Sequence, residues 1–447
     1  MTAHIADVNV AVDARAARRE LRRRFAGQLY IPNSAGYDES RRAVNPSLDA
    51  RPVIIAEADS ALDVSAALTW ARERQVPFAV QSTGHGTYVP SDGGLLLKTS
   101  ALKRVLVDPD RGIARVGAGA RWGSVLAAAA PFGLAPLSGS SPDVGVAGYT
   151  LGGGLSWLSR RFGFAADSVL RAEVVTANGR IVTASRDEHP ELFWALRGGG
   201  GNFGVVTSLE FRLHRVASVW SGSAVFPLER AAAVLARYRE WIADAPDELS
   251  TAIVLMPSWP STGGPAVAIR AMSSGSPATA VDALRPLYRA AGVPLWEDFG
   301  EAGFAETRMP GVAPLNFDLF ETLPDPVIEH LVDAVRRPGS RVGAVEVRHW
   351  GGAMARPTAD AGPVGHRHVP LSVIVEGPPE SAEALAPYAT GGTFLNFLRD
   401  PSRVESAYTP DNYRWLQTLK GRLDPDNMFS VNHNITPATP RTHRVYL

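Results

Sequence analysis

Two glycine-rich stretches, about fifty residues apart, constrain this chain more than anything else in it. The first is Gln81-Ser82-Thr83-Gly84-His85-Gly86-Thr87. The second runs Ser141-Pro142-Asp143-Val144-Gly145-Val146-Ala147-Gly148-Tyr149-Thr150-Leu151-Gly152-Gly153-Gly154. Both follow residues that read as a buried strand. Glycine lets a backbone approach a large flat ligand closely and aim its N–H groups at phosphate oxygens. One such loop carries little information. Two in this order, with a lone histidine inside the first, ask for a fold that brings both to one ligand.

With 447 residues the chain is long enough for two or three domains and a large core. Hydrophobic residues make up 45% and charged residues 20%, and the formal net charge is zero, so no global field draws the chain to nucleic acid or to an anionic membrane. The cations are nearly all arginine, the only lysines being Lys98, Lys103 and Lys420. There is no cysteine, which excludes disulfides, thiolate metal sites and thiol nucleophiles. No run approaches the roughly 18 apolar residues of a membrane span. Residues 1–11 are mixed polar, and the arginine-rich stretch behind them lacks an apolar segment; no signal peptide is read, and a cytoplasmic location is expected.

Val12 to Gly27 reads as a basic helix with Asp13 as its cap and its arginines on a solvated face, and Pro32 to Pro46 as loop. A strand at Arg51 to Ala56, a helix capped by Asp59 or Ser60 that runs to about Arg74, and a strand at Val76 to Val80 form a βαβ-like unit delivering the first loop. Further strands are expected at Gly94 to Leu97, Val105 to Val107 and Ile113 to Gly119. A helix from Trp122 to Ala130 precedes the second loop. Asn178-Gly179 between Val169–Ala177 and Arg180–Ala184 is a hairpin signal. Glu191 to Leu196 is a short helix before the Gly198–Gly204 run, and a strand spans Val205 to Leu213. After about residue 217 the texture changes. Strands at Val219–Phe226, Thr251–Pro257, Ala266–Met272, Ala344–Val347 and Leu371–Val375, with helices at Leu228–Ala243 and Ala278–Ala291, suggest one antiparallel sheet covered by helices. Tyr413 to Arg422 is a last helix, stopped by Asp424-Pro425-Asp426.

The Gly198–Gly204 run is not read as a nicotinamide fingerprint, because a strand rather than a helix follows it. GxxxxGK[ST], GxSxG and HExxH do not occur, and His366 and His368 read as a loop or strand pair, so no metal site is expected.

These motifs resemble the flavin-linked oxidases of the vanillyl-alcohol-oxidase and p-cresol-methylhydroxylase (PCMH) superfamily, in its berberine-bridge-enzyme-like branch. Val80–Thr87 resembles the branch's loop with the flavin-linking histidine, and Ser141–Gly154 its Cys-Pro-x-Val-Gly-x-Gly-Gly-His-x-x-Gly-Gly-Gly loop. Trp157–Asp167, Leu192–Thr207, Trp350–Met354 with His366-Arg367, and Tyr413–Ile435 continue it to a closing signature at Asn432-His433-Asn434-Ile435. The resemblance implies an α+β fold: a PCMH-type FAD-binding domain of two subdomains, and a substrate domain whose antiparallel sheet is covered by helices. The expected divisions are an N-terminal helix and loop (1–46), the FAD-binding domain (47–217), the substrate domain (218–395) and a segment returning to the FAD domain (396–447).

FAD is the implied cofactor, linked covalently through His85 alone. The implied cofactor contacts are Gln81, Ser82, Thr83, Gly84, Gly86, Thr87, Ser141, Val144, Gly145, Gly148, Tyr149, Gly152, Gly153, Val205, Asn432 and Asn434. The small side chain of Val144 matches a position that leaves room for O2. Three departures stand out. Ser141 replaces the cysteine of a second covalent link. Tyr149 replaces a histidine; it reads either as a donor to the flavin's pyrimidine end or as a packed tyrosine. Phe394-Leu395-Asn396 stands where many members have Tyr-x-Asn, so the usual base does not carry over. The remaining candidates for proton transfer are Tyr149, His349, Glu346, Tyr388 and Glu376, while His366 and Arg367 read as loop-holding residues.

The expected function is that of an O2-using oxidase taking a hydride from an alcohol or amine carbon of a small secondary metabolite or sugar, with no nucleic-acid or membrane partner. The alternatives are a non-redox cyclisation or rearrangement that keeps FAD as a structural wall, and a degenerate binding protein. Substrate identity and oligomeric state are not encoded in any motif.

Overall fold

Ile54, Ile55 and Ala56 are buried on both faces, as a central parallel strand requires. In the computed structural model, which describes residues 13–438, they form β2 (Ile54–Glu57) of a four-stranded sheet. The other strands are β1 (Gln28–Tyr30), β3 (Phe78–Gln81) and β4 (Leu95–Lys98), in the order β1-β2-β4-β3, with β1 antiparallel and the rest parallel. The expectations for residues 1–11, for a helix start at Val12 and for the end of the 396–447 segment fall outside the described residues. Helix α1 (Ala14–Leu21), capped by Asp13, is shorter than the expected span to Gly27. The segment expected to hold only helix and loop thus supplies a strand, β1, as well as the short α2 (Tyr37–Ser40) inside the expected loop. Ser60, whose hydroxyl accepts from the Asp63 N–H, caps α3 (Ala61–Glu73) between β2 and β3.

The second sheet is antiparallel and ordered β5-β6-β10-β8-β9. It comprises β5 (Val105–Asp108), β6 (Ile113–Gly117), β8 (Val169–Val175), β9 (Ile181–Ser185) and β10 (Val205–Arg212). The short β7 (Leu134–Ala135) pairs outside it with β11 (His214–Arg215). The β8–β9 hairpin turns at Asn178-Gly179, where Gly179 has φ +82°. Helices α4 (Trp122–Ala129), α5 (Val146–Leu151), α6 (Ser159–Phe162) and α7 (Pro190–Leu196) belong to this half of the chain. The second glycine loop therefore contains a helix, α5, that its glycine content conceals.

The third sheet has eight antiparallel strands. These are β12 (Ser218–Pro227), β13 (Leu249–Met256), β14 (Ala266–Ser273), β15 (Trp296–Glu297), β16 (Gly300–Gly303), β17 (Asn316–Phe320), β18 (Ala344–His349) and β19 (Leu371–Glu376). The order is β15-β12-β14-β13-β18-β19-β17, with β16 also on β12. Helices α8 (Ala231–Trp241), α9 (Pro277–Ala291) and α10 (Asp325–Arg336) cover its outer face, where Val345, Val347, Leu371 and Val373 pack with Leu235, Leu284 and Leu331. Ala252, Val254, Ala268 and Ile374 line the inner face. They pack with Leu155, Trp157 and Phe164, which follow the second glycine loop. Helix α11 (Pro410–Leu423) leads back to the second sheet's core. Among the described residues no helix is long and apolar enough to cross a membrane, and no group of three or more His, Cys, Asp or Glu is placed to hold a metal ion.

Candidate cofactor and active site

The two glycine loops touch. The Gly145 N–H donates to Thr83 Oγ1 (3.2 Å), and the His85 Nδ1 lies 3.0 Å from the same oxygen. Ser82 Oγ donates to the Ala118 carbonyl (2.7 Å) and Gln81 Nε2 to the Arg42 carbonyl (2.9 Å), so these two side chains are spent on fixing the loop. The backbone is left free. Among the described residues, no N–H from Ser82 to Thr87 has a protein acceptor. Such an unbroken row of donors on a loop following a parallel strand suits an anion. A Cβ at Gly86 or at Gly148 would meet nothing within 4 Å, so each opens a face of the cradle. His85 is half-buried, and its imidazole pKa is lowered by burial, with the nearby Arg121 charge acting the same way and Asp143 opposing. It is therefore neutral at neutral pH.

The closing segment completes this cradle. Asn202 Nδ2 donates to the carbonyls of Gly199 and His433 (both 3.0 Å), and its Oδ1 accepts from the Ile435 N–H (2.9 Å). Asn432 Nδ2 donates to the Gly201 carbonyl (3.2 Å). The Oδ1 atoms of Asn432 and Asn434, the Tyr149 hydroxyl and the Thr150 hydroxyl are buried without a partner. Buried orphan polar atoms are rare and mark places where a further group completes the bonding. The orphans beside two glycine loops and the row of free N–H groups fit a flavin nucleotide. Ser141 is partly exposed and accepts from the Asp143 N–H (3.3 Å). Val144 packs at the edge of the second sheet's core. The Val205 side chain is buried with Phe78 and Phe429, leaving only its backbone for contacts.

Asn396 holds the second loop from the far end of the sequence. Its Oδ1 accepts from the Gly154 N–H (2.9 Å) and its Nδ2 donates to the Tyr149 carbonyl (3.0 Å), bracketing the end of α5. A Cβ at Gly152 would lie 2.6 Å from Asn396 Nδ2, so the contact itself requires glycine. Phe394 is buried in an aromatic cluster, 5.5 Å from Phe164 and 5.4 Å from Trp350, ring centroid to centroid. Asn396→Ala is expected to destabilise the protein by about 1–3 kcal/mol, the cost of leaving both backbone groups unpaired. It should also lower flavin content; denaturant unfolding together with flavin absorbance checks both, and an unchanged variant would remove the clamp from the account.

Strand alternation sorts the candidates on β18. Val345 and Val347 face the outer core, so Glu346 and Arg348 face inward. Arg348 stacks on Trp157, with its guanidinium carbon 4.2 Å from the ring centroid, and donates to the Ser156 carbonyl (3.1 Å). Arg270, on the same face of β14, donates to the Pro310 carbonyl (2.6 Å). Burial raises the Glu346 carboxyl pKa against the opposing pull of Arg348 and Arg270, and Glu346 Oε2 has no partner. Burial also raises the Tyr149 phenol pKa, against the opposing charge of Arg348. The second glycine loop and the inner sheet face are therefore electrostatic neighbours.

Three candidates lie elsewhere. His349 projects to the outer side of the sheet with Val345 and Val347, where its Nε2 meets Arg160 Nη1 at 2.8 Å. The period-two pattern of a strand separates it from Glu346. Tyr388 is 44% exposed at the end of a 3-10 turn. Glu376 lies at the end of β19, where its Oε2 accepts from the Ala313 N–H (3.4 Å). His366 Nε2 contacts the Ser406 carbonyl (2.8 Å), and Arg367 grips Asp167 through two bonds (2.9 and 2.7 Å), so this pair ties loops together. Arg270 and Arg348 were not singled out from the sequence, and Asn396 entered only as the last residue of Phe394-Leu395-Asn396, with no role given to it. The signal for Arg348 was its place two residues from Glu346 on one strand face.

His349 makes the fold acid-sensitive. Burial, with the Arg160 charge adding to it, lowers its pKa from 6.5 to about 2. The buried His214, stacked 4.1 Å from Phe162, is lowered to about 4. Above pH 6.5 both are neutral in folded and unfolded chains alike. Below it the unfolded chain binds protons that the folded chain refuses, so stability falls as pH falls, by roughly 1 kcal/mol per pH unit for each group. The unfolding free energy is expected to drop from pH 7 to pH 4, with a shallower slope in His349→Gln. A flat profile, or an unchanged slope in that variant, would contradict the assignment.

Comparison with known proteins agrees with this geometry. Residues 52–185 match an FAD-binding-domain family, and residues 393–436 the "Berberine and berberine like" family. The chain is 38% identical over 192 residues to (R)-6-hydroxynicotine oxidase of Paenarthrobacter nicotinovorans, covering 42% of each chain. It is 28% identical over 412 residues to an FAD-linked oxidoreductase of Dictyostelium discoideum, covering 86% of this chain and 89% of that one. It spans about half the length of the first curated relatives it matches. The crystal structure of 6-hydroxy-D-nicotine oxidase from Arthrobacter nicotinovorans superposes with a TM-score of 0.79 at 25% identity, covering 93% of this chain and 98% of that one. With both matched regions set on one fold, at the two glycine loops and at the closing segment, the chain carries an FAD-binding domain and a berberine-like closing region and is similar to the berberine-bridge-enzyme-like FAD-linked oxidoreductases.

Proposed function

We propose that the chain is an FAD-dependent oxidase that takes a hydride from an alcohol or amine carbon of a small metabolite. The observation that carries the proposal is the row of free backbone N–H groups from Ser82 to Thr87 beside the neutral His85. The relationship to (R)-6-hydroxynicotine oxidase supports the oxidase reading. FAD, when bound, supplies a two-electron acceptor that O2 reoxidises.

The unit 47–217 and the returning segment from 396 hold the cofactor, and 218–395 the substrate. The Ser82–Thr87 N–H groups bind its diphosphate. His85 Nδ1 lies 3.0 Å from Thr83 Oγ1, a contact that orients the neutral imidazole whose ring nitrogen takes the covalent link. The Tyr149 hydroxyl, unpaired within the protein, donates to the cofactor, and Arg348 adds nearby the cation that a histidine at position 149 would bring. Phe394 offers no proton acceptor. Glu346, buried on the inner sheet face, is the group that takes the substrate's proton.

Acid precipitation tests the attachment. Wild-type flavin should pellet with the protein, and the flavin of His85→Ala should stay in the supernatant; wild-type flavin in the supernatant would sink the link. Anaerobic mixing with substrate tests the reaction class. An oxidase bleaches its flavin band, whereas turnover with the band unchanged would favour a non-redox rearrangement.

A further inference from the structure

This fold holds two kinds of buried arginine. Arg160 is saturated: it bonds the carbonyls of Leu249, Trp350, Ala245 and Pro246 as well as His349 Nε2. Arg367 is likewise engaged by Asp167 and the Met354 carbonyl. Arg270 and Arg348 are as deeply placed, at 6% and 8% exposure, yet each guanidinium makes a single hydrogen bond among the described residues, to the Pro310 and Ser156 carbonyls respectively. Arg270 Nε is fully buried with no acceptor. A guanidinium carries five N–H donors, and leaving them unmade in a dry site is costly.

The sheet register brings the two together. Arg270, Ala252, Arg348 and Ser372 occupy one row across β14, β13, β18 and β19. One strand separates the arginines, so their backbones are about 10 Å apart. Only the methyl of Ala252 lies between them, and two long side chains can converge over it on one small group. Trp259 beneath Arg270 (5.4 Å) and Trp157 beneath Arg348 (4.2 Å) hold each guanidinium by its face and leave its edge free. The nearby Glu346 leaves the set of three with an excess of positive charge.

We propose that Arg270 and Arg348 together bind a carboxylate of the substrate, so that the reaction proposed above acts on an organic acid; the inference rests on that reading. A planar carboxylate matches the fork geometry of arginine and supplies acceptors to both.

The test uses the purified flavoprotein, titrated with benzoate, phenylacetate and indole-3-acetate and with the corresponding carboxamides. Binding is read by calorimetry and by perturbation of the flavin spectrum. At least one carboxylate is expected to bind tenfold or more tightly than its amide. Arg270→Met and Arg348→Met should each weaken that carboxylate at least tenfold and leave the amide unchanged, and Arg270→Lys should keep part of the preference. The inference is overturned if no carboxylate outbinds its amide, as when the cofactor itself saturates both arginines, or if the preference survives Arg270→Met. Where a methionine variant does not fold, the wild-type ratio and Arg270→Lys decide. Protein without flavin overturns the underlying reading, whereas flavoprotein without carboxylate preference overturns this inference alone.

Discussion

Lys420→Met is expected to destabilise the protein by about 3–5 kcal/mol, because it strands a buried carboxylate. Lys420 and Asp424 are both 0% exposed. The ammonium donates to Asp424 Oδ2 (2.7 Å) and to the carbonyls of Asn202 (2.8 Å) and Phe429 (3.0 Å). Asp424 in turn accepts the N–H groups of Met428 (2.8 Å) and Phe429 (2.9 Å). One ion pair therefore fixes the end of α11, the glycine run around Asn202 and the turn into Asn432–Ile435. Removing the cation leaves Asp424 buried without its counter-ion and the Asn202 carbonyl without its donor, while the Phe429 carbonyl keeps only the Asn432 amide (3.2 Å). Adding Asp424→Asn should recover part of the loss, a coupling that only a direct interaction produces. Denaturant unfolding of the two single variants and the double variant measures it. Flavin content should fall with stability in Lys420→Met, since the same bonds shape the cofactor cradle. A loss under about 1 kcal/mol would mean that the pair is dispensable.

Arg160→Met should be similarly severe, about 3–5 kcal/mol, for a different reason. Arg160 comes from α6, just after the second glycine loop, and reaches into the third sheet. Its Nε bonds the Leu249 carbonyl (2.9 Å), and its Nη2 bonds those of Ala245 (3.0 Å) and Pro246 (3.1 Å). Its Nη1 bonds the Trp350 carbonyl and contacts His349. Methionine fills the space but removes the donor that all these acceptors share; the Pro246 carbonyl keeps the Leu249 N–H (3.1 Å). Arg160→Lys should rescue little, because an ammonium cannot present a planar fork to acceptors on several sides. Thermal unfolding compares the three proteins, and a lysine variant as stable as wild type would refute the fork argument.

Much of the cofactor half was legible because glycine at fixed spacing leaves few backbone options. The loops at 81–87 and 141–154, the hairpin at Asn178-Gly179 and the strand after Gly204 all lie where the residues imply. Helix α5 was hidden because its core, Val146–Leu151, sits among glycines that lower helix propensity, and tertiary bonds from Asn396 stabilise its end. Strand β17 and helix α10 went unread. In α10, Val327, Ile328, Leu331, Val332 and Val335 repeat at helical spacing after Pro324-Asp325-Pro326, a usable signal. The inner face of the third sheet was the least legible. Glu346 and His349 are close in sequence, but the two-residue strand period sends them to opposite faces. Partners such as Arg270 come from other strands, through a register that no local pattern encodes.

The central claim is that a flavin lies across the two main-chain loops with its dimethylbenzene edge at His85. Tryptic digestion followed by mass spectrometry examines it most directly, since cleavage after Arg74 and Lys98 releases one peptide, Gln75 to Lys98, that holds the whole first loop. The account predicts that this peptide carries an FAD-derived adduct on His85 and that no other peptide is coloured. A colourless protein, or a flavin that leaves every peptide unmodified, would contradict it.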